Sequence, residues 1–568
     1  MKTFLEKKRL LFILLFCLSG CVLPLEGQKD ITAPPAGSSA DVAAYHYSLS
    51  VHLSLNGKPD EAIGELEKAL SLDAKSSFLA TELATLYSEN GDIEKAISLC
   101  EKTLAENAGE IDAHLLLAGL YLNKKDHQQA LREYKKVGEL DPQRTDSPLY
   151  VGIIYGEAGN YEEALSSFNK LLAIDPDNLM GNYYLAGTFT AMKRYGEAEE
   201  KYKKALAIRP VFEQAVIDLS HLYEKQGNYA LALETYRNFI KINPHSVNVR
   251  LKMANLLLRL KKTEEAEKEL QETLNQGKEN REVIYTLGLF YLEKKQYDKA
   301  VEMFTELVKS APDDHRFRYL LGSAYEEKKD YHKAIAELQK IPAEAAIYPN
   351  AQISISMIMK NSGRIDEAIA GLVTAIQVKK DTPDFYVVLS SLYEDKQELL
   401  KAEETLKTGL QVSPSVQLHY SLGLLYEKTD RFEESIREME RVLKLDDKNA
   451  DALNFIGYTY ADRGINLEEA EKYIKQALKL KPGNGYMLDS LGWVYFRQKK
   501  VEQAIKYLNE AAAALPGDAN IAEHLGDVYV ESGQRKEAID KYGQALKLNP
   551  GNKVLQQKID KLTTDRKE

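Results

Sequence analysis

At 568 residues, 44% hydrophobic and 28% charged, the sequence describes a folded, helix-rich body and not a disordered chain. Its net charge of −11 argues against nucleic acid as a partner, because affinity there comes from Lys and Arg neutralising phosphates. The length would ordinarily suggest several domains, but an internal repeat overrides that expectation.

The chain opens with Lys2, Lys7, Lys8 and Arg9, followed by the apolar stretch Leu10–Leu18. That stretch is too short to cross a bilayer, which needs about 20 residues, and it fits a secretory signal over residues 1–20. Leu18-Ser19-Gly20-Cys21 resembles the lipobox of bacterial lipoproteins. The resemblance implies that Cys21 is the lipid-modified first residue of the mature protein. Val22 in place of Asp after it implies an outer-membrane, lipid-anchored, periplasm-facing protein that meets the membrane through its N-terminal lipid. The other reading of these residues is a plain cleaved signal with an incidental cysteine. Losing residues 1–20 removes four basic groups and one acid, which leaves the mature chain at −14. Residues 21–42, with Pro24, Pro34, Pro35 and Gly37, read as a flexible tether reaching at most roughly 70 Å. With Cys17 removed and Cys21 acylated, Cys100 has no partner for an internal bridge. It takes the slot that Tyr134, Phe168 and Tyr202 hold in later copies, which predicts a small core residue.

From residue 43 a unit of 34 residues recurs. In Arg281–Asp314, Ile284, Leu287, Leu289 and Leu292 predict one helix, and Lys294-Lys295-Gln296 predict a polar turn. Ala300, Val301, Phe304 and Leu307 predict a second helix, which Pro312 stops. The alanine of the second helix returns at Ala62, Ala96, Ala130, Ala164, Ala198, Ala232, Ala266, Ala300, Ala334 and Ala368, always 34 residues on. One such hairpin cannot bury its apolar faces, but a stack of them can. Leu287, Gly288, Tyr291, Ala300, Phe304 and Pro312 make the unit similar to the tetratricopeptide repeat (TPR). Val151, Gly152, Tyr155, Ala164, Phe168 and Pro176 repeat the match in an earlier copy. The resemblance implies an all-α fold, a right-handed α-solenoid (superhelix) of about fifteen TPR helix hairpins with a C-terminal capping helix.

This organisation places an N-terminal TPR array at 43–348, a C-terminal array at 349–552 and the capping helix at 553–568. The first copy is degenerate, with Ser50 and Leu53 in two signature slots, as terminal repeats are expected to be. Near residue 276 the stopping proline is missing and Gln276-Gly277 takes over the break. Pro342 falls early and Pro349 opens the next copy, so Ile341–Asn350 is expected to change the superhelical geometry or to hinge. The copy from Pro383 is one residue short, and the one from Ala450 has an extra residue in its Asp462–Asn466 turn. Val554, Leu555, Ile559 and Leu562 then form one apolar stripe suited to cap the array.

No HExxH, CxxC, phosphate-binding glycine loop or GxSxG turn occurs, and no two histidines stand at i, i+4. Ser167–Lys170 matches SxxK but lies inside a repeat helix without companion motifs. Adjacent acids such as Glu162-Glu163 point apart on a helix and read as solvated surface. The sequence therefore predicts a binding protein and not an enzyme, with no metal, no cofactor and no small-molecule substrate.

In the TPR family the first helix of each repeat lines the groove, and position carries that role to two regions here. One comprises Leu115, Leu122, Leu149, Ile153, Met180, Tyr183 and Tyr184; the other comprises Tyr458, Tyr486, Trp493 and Phe496, beside Asn454 and Asp489. Exposed aromatics with polar neighbours suit a protein partner. The alternative is that several pack between helices; Trp493 is expected to face the groove. The Lys/Asn pattern with which chaperone-binding TPR proteins grip a carboxylate tail is not found at these positions. Asn454–Tyr458, Ala461–Gly464 and Asp489–Tyr495 are similar to a block in large bacterial TPR lipoproteins. That likeness implies an adaptor binding periplasmic protein partners, including a carboxyl-terminal processing protease and its cell-wall hydrolase substrates. The same architecture serves scaffolds for exopolysaccharide export and pilus assembly, and, further afield, a regulatory TPR subunit of an enzyme such as a sugar transferase.

Overall fold

Thirty-one α-helices, from Ser39–Leu55 to Lys553–Thr564, follow one another with no strand among the described residues. They are seen in a computed structural model that describes residues 38–276 and 280–564. Cys21, the lipobox and most of the expected tether lie outside the described residues. The helices pair into fifteen hairpins and a final single helix, the all-α TPR solenoid that the 34-residue period predicts. Arg281–Glu293 and Tyr297–Ser310 show the unit at its most regular.

Three local devices recur among the hairpins. The second-helix alanine is fully enclosed, as at Ala62, Ala300 and Ala538, because any larger group there would hold the helices apart. Opposite it, a Cβ on Gly288 would come 2.5 Å from Phe304 Cε1, so only glycine lets the pair close. The turn between helices sets one residue left-handed in every copy: glycine in seven, but Lys125, Lys193, Lys261, Lys295, Lys329 and Lys499 in six, with Gln397 and Asp430 in the other two. A non-glycine residue there costs roughly 1 kcal/mol in backbone energy, and the packed helices on either side enforce it.

The departures from period have visible causes. Ser38 and Asp41 form a capping box, so Ser39–Val42 belongs to the first helix and not to the tether. Pro342 leaves Tyr331–Leu338 at 8 residues where Tyr297–Ser310 has 14. The segment that follows is nonetheless fastened, with Ile341 and Tyr348 buried and turn hydrogen bonds at Ala345 and Tyr348. The extra residue of the later copy lengthens Ala450–Arg463 by one, and Gly464 and Asn466 both turn left-handed after it.

The chain divides between Glu269 and Leu270 into two compact units. In the first, a continuous core runs from Ala164 to Ala266 around Phe168, Tyr236 and Met253. In the second, one core gathers Ala334–Leu392 around Phe385, and another gathers Ala461–Val528 around Leu491, Trp493 and Val494. Copies are also tied by side chains in register. Lys124–Glu94 and Lys396–Asp366 repeat at 30 residues, and both are exposed pairs that contribute little stability individually.

Candidate functional site

The C-terminal candidates sit on two first helices, Ala450–Arg463 and Gly485–Arg497, and a third, Ala519–Glu531, packs beside them within the second unit. Each helix starts from a side-chain cap, with Asn449, Asn484 and Asp518 accepting from backbone N–H groups of the first turn. Helical spacing then places Asn454 and Tyr458, and Tyr486, Asp489, Trp493 and Phe496, along one face of their helices.

Trp493 is the main correction to the sequence reading. Expected to face water, it is only 9% exposed. Its indole stacks on the His524 ring at 4.2 Å and 20°, and lies 5.0 Å from the ring of Phe496, so neighbours cover it. Asp489 is likewise buried and accepts a 2.9 Å hydrogen bond from His524 Nδ1. Burial works to lower the His524 pKa, but that bond and the charges of Asp489, Asp527 and Glu523 outweigh it and raise the pKa above the ordinary value. His524 escaped the sequence reading because scattered histidines carry no motif. The signal was its register, 35 residues after Asp489.

Tyr458 and Phe496 are half-buried, while Tyr486, at 61% exposed, is the aromatic of this set that stands in water. Burial, then the charges of Asp462, Asp489 and Glu427, push the Tyr458 phenol up to about 12. Two polar atoms of the face, Asn454 Oδ1 and Trp493 Nε1, are enclosed with no hydrogen-bond partner.

In the first unit, Leu149, Ile153 and Tyr183 are half-buried against the core. Tyr183 donates a 2.7 Å hydrogen bond to Asp218 and packs on Phe212 at 4.9 Å, so it is already engaged. Burial and the Asp218 carboxylate raise its pKa. The structure thus brings the C-terminal candidates into one contiguous face and leaves the other three in a separate place.

Chemistry elsewhere is muted. Ser167 Oγ is held by the Glu163 carbonyl at 2.8 Å, and burial pushes the Cys100 thiol up to about 12. Among the described residues no group of three His, Cys, Asp or Glu is arranged to hold a metal, and no helix is long and apolar enough to cross a membrane.

A stack of helix hairpins whose first-helix faces carry the side chains available to a partner defines a repeat-built binding scaffold. Models of the tetratricopeptide repeat match residues 152–211, 285–351 and 420–485, and a second such model matches 88–151 and 224–287. A model of the tetratricopeptide repeat-like domain matches 466–564. The chain belongs to the tetratricopeptide-repeat proteins. It is 31% identical over 156 residues to the TPR repeat-containing protein PA4667 of Pseudomonas aeruginosa, a match over 27% of this chain and 26% of that protein. The chain therefore spans about a quarter of the length of this curated relative. Among solved structures, the APC/C hetero-tetramer Cut9-Hcn1 is 15% identical with a TM-score of 0.37, covering 86% of this chain and 96% of that one. Naa15/Naa10 bound to HypK-THB is 13% identical with a TM-score of 0.39, covering 92% and 96%. YrrB, a TPR protein with an unusual peptide-binding site, is 22% identical with a TM-score of 0.28, covering 31% and 90%. The repeat fold is one typical of non-catalytic scaffolds.

Proposed function

We propose that this TPR protein is a lipid-anchored adaptor of the outer membrane that holds periplasmic protein partners on its C-terminal first-helix face. We take those partners to be a processing protease and its cell-wall hydrolase substrates. One observation carries the choice of face: Tyr486, three residues before Asp489 on the same helix, is 61% exposed, where an array held by neighbour contacts gains nothing from an exposed aromatic. The anchor rests on Leu18-Ser19-Gly20-Cys21.

Capture of native partners from membranes, followed by mass spectrometry, tests the reading. The wild-type chain should recover a periplasmic protease, and Tyr486→Ala should lose it while remaining helical. Recovery of polysaccharide-export or pilus components in its place assigns the scaffold to those assemblies. Cys21→Ser should abolish palmitate incorporation and outer-membrane fractionation; label that persists removes the anchor from Cys21.

A further inference from the structure

We infer that a cavity of the first unit, between the first helices Glu213–Lys225 and Val247–Arg259, takes an aspartate or glutamate side chain from an acidic segment of a protein partner. The cavity belongs to the first unit alone, so the inference stands apart from the reading of the C-terminal face.

The cavity has a volume of about 560 Å³. Asp218, His221, Glu224 and Lys225 line it from one first helix, Arg259 from the next, and Tyr229 from the second helix between them. A space of that size admits a side chain together with the backbone that carries it. Its hydrogen-bonding capacity is divided unevenly. Every carboxylate of Glu213–Lys225 is already engaged within the chain. Glu213 accepts from Ser246 and from Asn248, each at 2.8 Å. Asp218 accepts from Tyr183 at 2.7 Å and from Gln214 at 3.0 Å, and Glu224 is ion-paired with Arg259. The donors, by contrast, are free. Among the described residues neither Lys225 nor His221 makes a hydrogen bond or an ion pair, and at i, i+4 the two are neighbours on one helix face. Lys252, two turns before Arg259 on the same face of its helix, is free as well.

Charge points the same way. Val247–Arg259 carries Arg250, Lys252 and Arg259 and no acid, and the turn after it adds Lys261 and Lys262. A chain of net charge −11 repels an acidic segment as a whole, so one is held only where unspent cations outnumber unspent acids. Asp218 keeps its charge, because both of its donors are neutral, and it opposes an incoming carboxylate. Tyr229, 41% exposed, offers its ring to the aliphatic stem of that side chain. Proteins of this repeat family bind protein partners, which makes a polypeptide the source of the carboxylate.

Fluorescence anisotropy of the full chain tests the inference with two labelled peptides, one of repeated glutamate-leucine-serine triplets and one with glutamine in place of glutamate. The glutamate peptide should bind and the glutamine peptide should not. Lys225→Gln with Lys252→Gln should weaken binding about fivefold. Asp218→Asn, which can still accept from Tyr183, should strengthen it. Lys295→Gln with Lys329→Gln, at exposed lysines of the other unit, should leave it unchanged, which separates a site from general attraction between opposite charges. Equal binding of the two peptides, undiminished binding by the Lys225/Lys252 variant, weaker binding by Asp218→Asn, or an equal loss in the Lys295/Lys329 variant would each overturn the inference. Tighter binding of an oligouronide than of the glutamate peptide would assign the carboxylate to a sugar acid and overturn the protein segment.

Discussion

Trp493 shows what a repeat period tells about a residue and what it omits. Its place on the first helix fixes which face it lies on, and that much follows from the sequence. Whether it is covered depends on what the next copy sets against it, and His524 stands 31 positions further on without any motif to announce it. The same limit applies to Asp489, which is buried and hydrogen-bonded to His524. The contact has a readout, since Trp493 is the only tryptophan and its emission reports this site alone. His524 has a pKa raised above its ordinary value, against the pull of burial, by Asp489 with Asp527 and Glu523. Lys558, paired with both of the last two, moderates them. A pKa raised in the folded state means the protonated pair stabilises the fold fully below the unfolded value. That contribution fades as pH rises through the folded pKa. A stacked imidazolium quenches indole more than a neutral ring does. Emission should therefore rise as pH climbs from the ordinary histidine value of about 6.5 through the higher folded pKa, and the unfolding midpoint of this unit should fall over the same window. His524→Gln should flatten both profiles. Unchanged profiles in that variant would remove His524 as their source.

At the scale of helices and turns, most of the architecture was legible. Apolar spacing and proline stops marked both helices of Arg281–Asp314, and the structure places them at Arg281–Glu293 and Tyr297–Ser310. The turns were only half legible. Gly91, Gly159 and Gly227 announce a left-handed residue, whereas Lys193 adopts φ 60 because the helices on each side leave it no other conformation. Lys193→Gly should thus stabilise its hairpin by about 1 kcal/mol. Hydrogen exchange of the amides from Thr188 to Ala198 would show it as slower opening, and faster exchange would mean the lysine stem contributes packing that glycine loses. A second device was invisible to pattern reading because it mixes residue types. A basic residue on the first helix meets a glutamate 19 residues later on the second, as His46–Glu65, His114–Glu133, Arg250–Glu269, Arg318–Glu337 and His419–Glu438. Arg318 and Glu337, 2.8 Å apart and 16% and 18% exposed, are the simplest to test. Glu337→Leu strands a guanidinium and should cost about 2 kcal/mol, and adding Arg318→Leu should restore part of it. If the double substitution is the worse of the two, the pair contributes stability that apolar packing cannot replace.

For the molecule as a whole, the repeat architecture decides how far damage spreads. In a globule every core residue shares one cooperative transition, whereas hairpins that touch only their neighbours pass a defect on through successive interfaces, each of which attenuates it. Gly152 offers a clean perturbation, because a Cβ there would lie 2.5 Å from Cε1 of Phe168, a ring buried in the core of the first unit. Phe168 has no room to retreat, so Gly152→Ala should cost about 1–3 kcal/mol through overpacking. Trp493 lies in the second unit and reports on that unit alone. In a urea titration of Gly152→Ala, part of the circular-dichroism change should move to lower denaturant while the tryptophan midpoint stays where it is in the wild type. A joint shift of both signals would mean that the two units unfold as one cooperative body. The converse substitution sharpens the test. A Cβ on Gly492, beside the tryptophan, would lie 2.6 Å from Leu508 Cγ, so Gly492→Ala should move the tryptophan midpoint and leave the remaining helical signal largely in place.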